Sequence, residues 1–341
     1  MMVTLEEKVR KSGVAGLSMA FVQGDNLQKT ACYGYLEKNT HKKVEATTIF
    51  NSCSMSKFVT AMLILVLVEK KFLQLDESVN NKLKNWKIPK NEFISQKEVT
   101  LRNLLSHQSG IKDPLHSFTE YSLEKGIPSM KDLLNGKTEY CSHKIEVTYE
   151  PGSQFHYCDA GYCIIQQLIE DTMGESFDKV MRQYVLDPLE MKNSHYLGLL
   201  PDENITCGHD KKGNVVDKNT TIYPYSAACG LWSTPSDLSL LVIELITAIK
   251  GKSKLGISSK NAKDLIHQQG IYHWAGLGVF LDGEEKEMEI SSLGWGKGFQ
   301  CMMVIFPYLE KGLVIMTNSD LGVHQMEGII GEIYRDYKKT F

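Results

Sequence analysis

Ser54 and Lys57 stand three residues apart in Phe50-Asn51-Ser52-Cys53-Ser54-Met55-Ser56-Lys57, just ahead of an apolar run from Phe58 to Val68. If a helix begins near Ser54, that spacing puts the hydroxyl and the amine on one face, about one turn apart. Serine is a weak nucleophile at neutral pH, and an adjacent amine that can lose its proton is one way to activate it. The unpaired N–H groups of a helix start would face any oxyanion that forms beside Ser54. A serine and a lysine at this spacing are common by chance. Here, however, they follow a strand-like Thr48-Ile49-Phe50 and open a strongly apolar helix, a context that chance seldom supplies.

The elements around this stretch can be read in order. Thr4-Leu5-Glu6-Glu7 is a capping-box pattern that predicts a helix ending near Gly13. Val14 to Val22 and Thr30 to Leu36 read as strands joined through Gly24-Asp25-Asn26, a hairpin. From Asp76 to about Asn204 the pattern is helical and loopy, with Pro89, Pro114, Pro128 and Pro151 as punctuation. Helices are expected over Thr100 to Leu105, with Thr100 as the cap, over Gly161 to Met173 before Gly174, and over Phe177 to Val185. Ala275 to Leu281, Met288 to Leu293, Phe299 to Phe306 and Leu313 to Thr317 are apolar runs that suggest an antiparallel meander. Met326, Ile329, Ile330, Ile333, Tyr334 and Tyr337 recur at helical spacing and should cover that sheet. The fold class expected is α/β (α+β), as one large unit or two interleaved lobes: residues 1–53 with 205–341 forming an α/β lobe, and 54–204 a mostly helical one.

Composition narrows the function classes. The 341 residues are 42% hydrophobic and 23% charged with a formal charge of -3, so no basic field exists for nucleic acid or an anionic membrane. Phe58 to Val68 is too short to span a bilayer, which needs about 20 apolar residues. The eight cysteines lack C-x-x-C pairs or zinc-like His spacing and read as small buried hydrophobes, as at Cys163 and Cys301. No metal or cofactor is expected. The first residues lack the basic and apolar segments of a secretory signal, which favours a cytoplasmic address over a secreted or cell-envelope one, the alternative.

A second informative stretch is Pro151-Gly152-Ser153-Gln154-Phe155-His156-Tyr157-Cys158-Asp159-Ala160-Gly161-Tyr162. A loop ending at a helix start can aim Tyr157 and Asp159 into one cleft, although a tyrosine packed beneath a loop would look the same. With Ser54-Met55-Ser56-Lys57, Thr100 to Gly110, Ala228 to Leu238, and Gly294 with Gly298-Phe299, this stretch resembles the serine β-lactamase and penicillin-binding-protein superfamily. The likeness is to its branch of class C β-lactamases, DD-carboxypeptidases, D-aminopeptidases and related esterases, and it covers nearly the whole chain. The resemblance implies that Ser54 accepts the acyl group and Lys57 its proton, and that Tyr157 protonates the leaving group. It also implies an oxyanion hole from the N–H groups of Ser54 and Trp295, the residue after the third-motif glycine, Gly294. His107 reads as a loop-fastening residue, and His156 should point away from Tyr157.

Two departures from the pattern bear on substrate. Tyr-x-Asn is Tyr157-Cys158-Asp159 here, which replaces an amide donor with an acceptor-only carboxylate that would favour the charged form of Lys57. The third motif aligns with Ser292-Leu293-Gly294, so the cation that helps relatives hold a substrate carboxylate is missing; Lys297 lies nearby but the loop is expected to carry it outward. The reading is a serine hydrolase acting on a small-molecule or peptide-like ester or amide. A β-lactamase or DD-carboxypeptidase, or a catalytically silent ligand-binding relative, remain the alternatives.

Overall fold

A computed structural model describes residues 4–122, 124–196, 200–201, 203–216 and 222–341. The strands are β1 (Gly16–Gln23), β2 (Asn26–Gly34), β3 (Phe50–Asn51), β4 (Trp232–Ser233), β5 (Phe280–Asp282), β6 (Glu289–Gly296), β7 (Phe299–Phe306) and β8 (Lys311–Thr317). Six of them form one sheet in the order β2-β1-β8-β7-β6-β5, with every neighbouring pair antiparallel. The meander expected from the last third is therefore β5 to β8, and the amino-terminal hairpin extends it by pairing β1 with β8. β3 and β4 form a separate two-stranded sheet, Phe50 opposite Ser233.

The apolar runs of β7 and β8 are continuous because both faces of the sheet are covered. Alternate residues point to opposite sides, and the two sets enter different clusters. Met302, Val304 and Phe306 pack with Leu17, Met19, Leu313 and Ile315 under Ile329, Ile330, Ile333 and Tyr334 of the carboxy-terminal helix Ile329–Lys338. Met303, Ile305, Val314 and Met316 face the larger core, which takes in Leu238, Leu241 and Leu245 of the helix Pro235–Ile249 and the whole apolar run after Lys57. That run is the helix Ser56–Glu69, in which every residue from Ser56 to Leu67 is buried. Each fully buried Leu, Ile, Val, Phe or Met side chain stabilises the fold by about 1.5–3 kcal/mol, so this helix is held from all sides.

The helix ends follow their caps. Thr4 closes a capping box with Glu7, and Gly13 ends Leu5–Ser12 in the left-handed region with φ 78°. Thr100 caps Leu101–Leu105. Several boundaries differ from expectation, among them the second strand, which runs Asn26–Gly34 rather than Thr30 to Leu36. The Ala275 run is strand only at Phe280–Asp282, because Gly278, at φ 73°, turns the chain so that its N–H reaches Leu105 O at 3.0 Å. The last helix starts at Ile329 rather than Met326. The helix Phe177–Met181 widens into a π turn, Arg182–Leu186, before Pro188. Among the described residues no helix is long and apolar enough to cross a membrane.

Candidate active site

The turn that carries Ser54 is tied at several points. Ser52 N donates to Leu231 O at 2.9 Å, and Cys53 N donates to Asn51 Oδ1 at 2.7 Å. Ser56 Oγ donates to Cys53 O at 2.6 Å and accepts from Leu231 N at 3.1 Å. These bonds hold Cys53 at φ 46°, a left-handed conformation costing a side-chain-bearing residue on the order of 1–3 kcal/mol. A 3₁₀ turn, Cys53–Met55, follows and leads directly into Ser56–Glu69. Ser54 thus stands on a tighter first turn than a regular helix would give.

Lys57 reaches back over that turn. Its Nζ donates to Ser54 Oγ at 3.1 Å and to Ala228 O at 3.0 Å, and lies 2.6 Å from Asp159 Oδ1. It also sits 4.9 Å from the centre of the Tyr157 ring. Burial is the largest single influence on the amine and pulls its pKa down, but the charges of Asp159, Tyr157 and Cys229 outweigh it and hold Lys57 well above the ordinary lysine range. The resting lysine is an ammonium paired with Asp159, the consequence foreseen for a carboxylate at this position.

Tyr157 and Asp159 are delivered by a loop fastened to His107. His156 N donates to His107 O at 2.8 Å, and Cys158 N donates to His107 Nδ1 at 3.3 Å. His107 is buried at φ 58°; burial first, and the Lys57 charge second, depress its pKa well below the usual range, which suits an Nδ1 that accepts. His156 is exposed. Tyr157 is 39% exposed as a residue, yet desolvation of its phenol raises its pKa while Lys57 pulls it the other way.

Asp113 is a participant that the sequence did not reveal. Its two carboxylate oxygens accept from Asp159 N at 2.8 Å and Ala160 N at 2.9 Å, capping the helix Asp159–Met173 from 46 residues away. Burial, then the Asp159 charge, push its carboxyl up to about 6. A remote cap of this kind has no local pattern to betray it.

The third motif forms the facing wall. β6 packs on the Cys53–Met55 turn through Gly294, where a Cβ would come within 2.3 Å of Cys301 Sγ and 2.5 Å of Ser52 O. Ser292 is buried and lines the cavity that also holds Ser54, Lys57, His107 and Tyr157. Trp295 lies outside that lining at the rim, 45% exposed, its Nε1 donating to Asp320 Oδ1 at 3.0 Å. Lys297 is exposed, and its backbone N donates to Tyr223 Oη at 3.0 Å. Among the described residues lining the cavity, Lys57 is the one cationic side chain. The enclosed volume is about 20 Å³, room for a water-sized group. Among the described residues no three His, Cys, Asp or Glu side chains gather for a metal ion.

Known proteins carry related chains. Protein flp of Staphylococcus aureus is 23% identical in strain MW2, over 99% of this chain and 69% of that protein. In strain NCTC 8325 / PS 47 it is 24% identical over 92% and 61%, so the chain spans between three-fifths and seven-tenths of these relatives. A penicillin binding protein from Bacillus halodurans superposes with a TM-score of 0.76 at 19% identity, covering 100% of both chains. The octameric penicillin-binding protein homologue from Pyrococcus abyssi gives 0.75 at 21%, over 92% of this chain and 72% of that one. These likenesses establish a β-lactamase/transpeptidase-like fold. The Beta-lactamase family pattern itself matches residues 4–329, through the Ser54 turn, the Tyr157 loop and the Gly294 strand, and the chain belongs to that family.

Proposed function

We propose that the protein is a serine hydrolase that forms an acyl-enzyme on Ser54 and cleaves a small-molecule or peptide-like ester or amide. The observation that carries this reading is the contact of Lys57 Nζ with Ser54 Oγ at 3.1 Å, on a turn whose backbone is fixed on both sides. Ser54 Oγ bonds to the substrate carbonyl carbon while its proton passes to Lys57 in its amine form. The N–H groups of Ser54 and Trp295 receive the oxyanion. The bond to the leaving group then breaks, that group takes a proton from Tyr157, and water releases the acid from Ser54. Asp159 opposes the first step by keeping Lys57 charged, so the fraction of competent enzyme grows as pH rises.

The absence of a fixed cation at Ser292 favours a neutral ester or amide over a penicillin. Incubation with a fluorophosphonate and, separately, with a fluorescent penicillin, each followed by intact mass, tests this. The phosphonate should add once to the parent and not to Ser54→Ala, and Lys57→Ala should label far more slowly. Equal labelling by the penicillin would restore the β-lactamase or DD-peptidase reading, and no adduct with either reagent would leave a silent ligand-binding relative.

A further inference from the structure

We infer that the rim of the Ser54 cleft is an aromatic wall for the leaving group, so that the favoured substrates are uncharged esters or amides whose alcohol or amine carries an aryl ring. This rests on the acyl-enzyme reading above and adds the class of leaving group to it.

Phe155 and Phe280 line the cavity beside Ser54 and Tyr157. Trp274 bridges them, its ring centre 4.4 Å from that of Phe155 and 6.2 Å from that of Phe280, and Tyr272 closes the group at 5.5 Å from Trp274 and 6.0 Å from Phe155. All four residues are only half-buried. The cavity admits little more than the scissile group, so whatever flanks that group must lie on the rim, and these partly exposed rings can receive it.

The side of the scissile bond follows from Tyr157. Phe155 and Tyr157 both pack on His107, with ring centres 5.7 and 4.3 Å away, and both line the cavity, so the wall adjoins the residue that would protonate the departing group. Its chemistry is apolar. Lys57 is engaged by Asp159, and Ser292 and Leu293 complete the lining without a charge. A leaving group bearing a carboxylate would lose hydration there with nothing to replace it.

The wall is also held still. Gln269, 3% exposed, accepts from Arg102 Nη1 at 3.0 Å through its side chain and from Gln108 Nε2 at 3.0 Å through its carbonyl. Its N donates to Ala275 O at 2.8 Å, closing the turn that presents Tyr272 and Trp274, and Leu281 N donates to Trp274 O at 2.8 Å. Half-exposed aromatic rings on a fastened turn need no ordering when a ligand stacks on them.

The test uses the full chain with methyl and benzyl butanoate, which share an acyl group and release alcohols of similar acidity, and with the matching methyl and benzyl amides. Attack by Ser54 breaks the acyl C–O or C–N bond, the alcohol or amine leaves with a proton, and water restores Ser54. The benzyl substrate should exceed the methyl one in kcat/KM by about tenfold, the order of one well-packed aromatic contact. Trp274→Leu, which keeps apolar volume, and Phe155→Leu should each cut that ratio by about threefold or more. Fluorophosphonate labelling of Ser54 in each variant reports separately on the nucleophile. Labelling with a benzyl-to-methyl ratio near one, a ratio unmoved by both variants, or turnover of neither pair overturns the inference and leaves the acyl-enzyme reading standing. Loss of labelling in the parent removes that reading and the inference with it.

Discussion

Asp159 Oδ1 lies 2.6 Å from Lys57 Nζ, and the same ammonium donates to Ser54 Oγ at 3.1 Å. One carboxylate therefore holds the amine beside Ser54 in its charged form.

The pH profile should carry its signature. Asp159 raises Lys57, so kcat/KM should climb toward alkaline pH as the lysine loses its proton. Asp159→Asn removes the charge, and the limb should move to lower pH by about 1–3 units, with a faster rate at pH 7. Rates of one neutral ester from pH 6 to 10 in both proteins decide it; superimposable profiles would mean that Asp159 does not govern the step.

Asp113 should show itself in stability. Its carboxyl is held at about 6, above an unfolded value of ~3.9, so its contribution is full below the unfolded value and is lost as pH rises through the folded one. Against the non-titrating Asp113→Asn, the parent should gain about 2 kcal/mol between pH 7 and pH 4. Urea unfolding of both proteins at the two pH values measures the difference. A constant difference would place the carboxyl in an ordinary environment. Asp113→Ala, which strands two helix N–H groups and titrates no more than the amide does, should cost about 1–2 kcal/mol at pH 7 and about 2 kcal/mol more at pH 4.

Ser292 lines the cavity where relatives carry a cation, and its replacement should change the charge that the cleft accepts. Ser292→Lys should speed acylation by a penicillin about tenfold, or ~1.4 kcal/mol, and leave a neutral ester unchanged or slower. The acylation rates of parent and variant with one penicillin and one ester are the measurement. A parent that takes the penicillin as fast as the ester would show that another cation, Lys297 first, supplies the anchor.

Much of this was legible in the sequence where the signal is local. Thr4 and Thr100 cap the helices that they announce, and alternation in β7 and β8 is hidden only because both faces are covered. The Ser54–Lys57 contact follows from helical spacing, and the Asp159–Lys57 pair from a carboxylate standing where relatives hold an amide. The helix Pro235–Ile249 announces its start in the same way, with Thr234 as cap and Pro235 in the first turn, but its period is hard to read. It is apolar on most sides, and period analysis needs a wet face. The 275–279 turn reads as strand because its apolar residues are buried, although its backbone bonds go to Leu105 and Leu265 rather than to a partner strand. Asp113 and the Tyr272–Trp274 wall depend on segments brought together from distant parts of the chain, and no window along the sequence contains them.

Burial of Ser56 to Leu67 on every side limits how the molecule breathes. β2 is an edge strand, exposed over its first four residues, and its outer amides can exchange with solvent through small local openings. The amides of the helix behind Ser54 have no such route, because freeing them means dismantling the core that surrounds them. In hydrogen exchange they should be among the slowest in the chain, opening with the free energy of global unfolding. Ser54 and Lys57 are thus mounted on the part of the fold that local fluctuations reach last, and the site should stay assembled while the sheet edge frays.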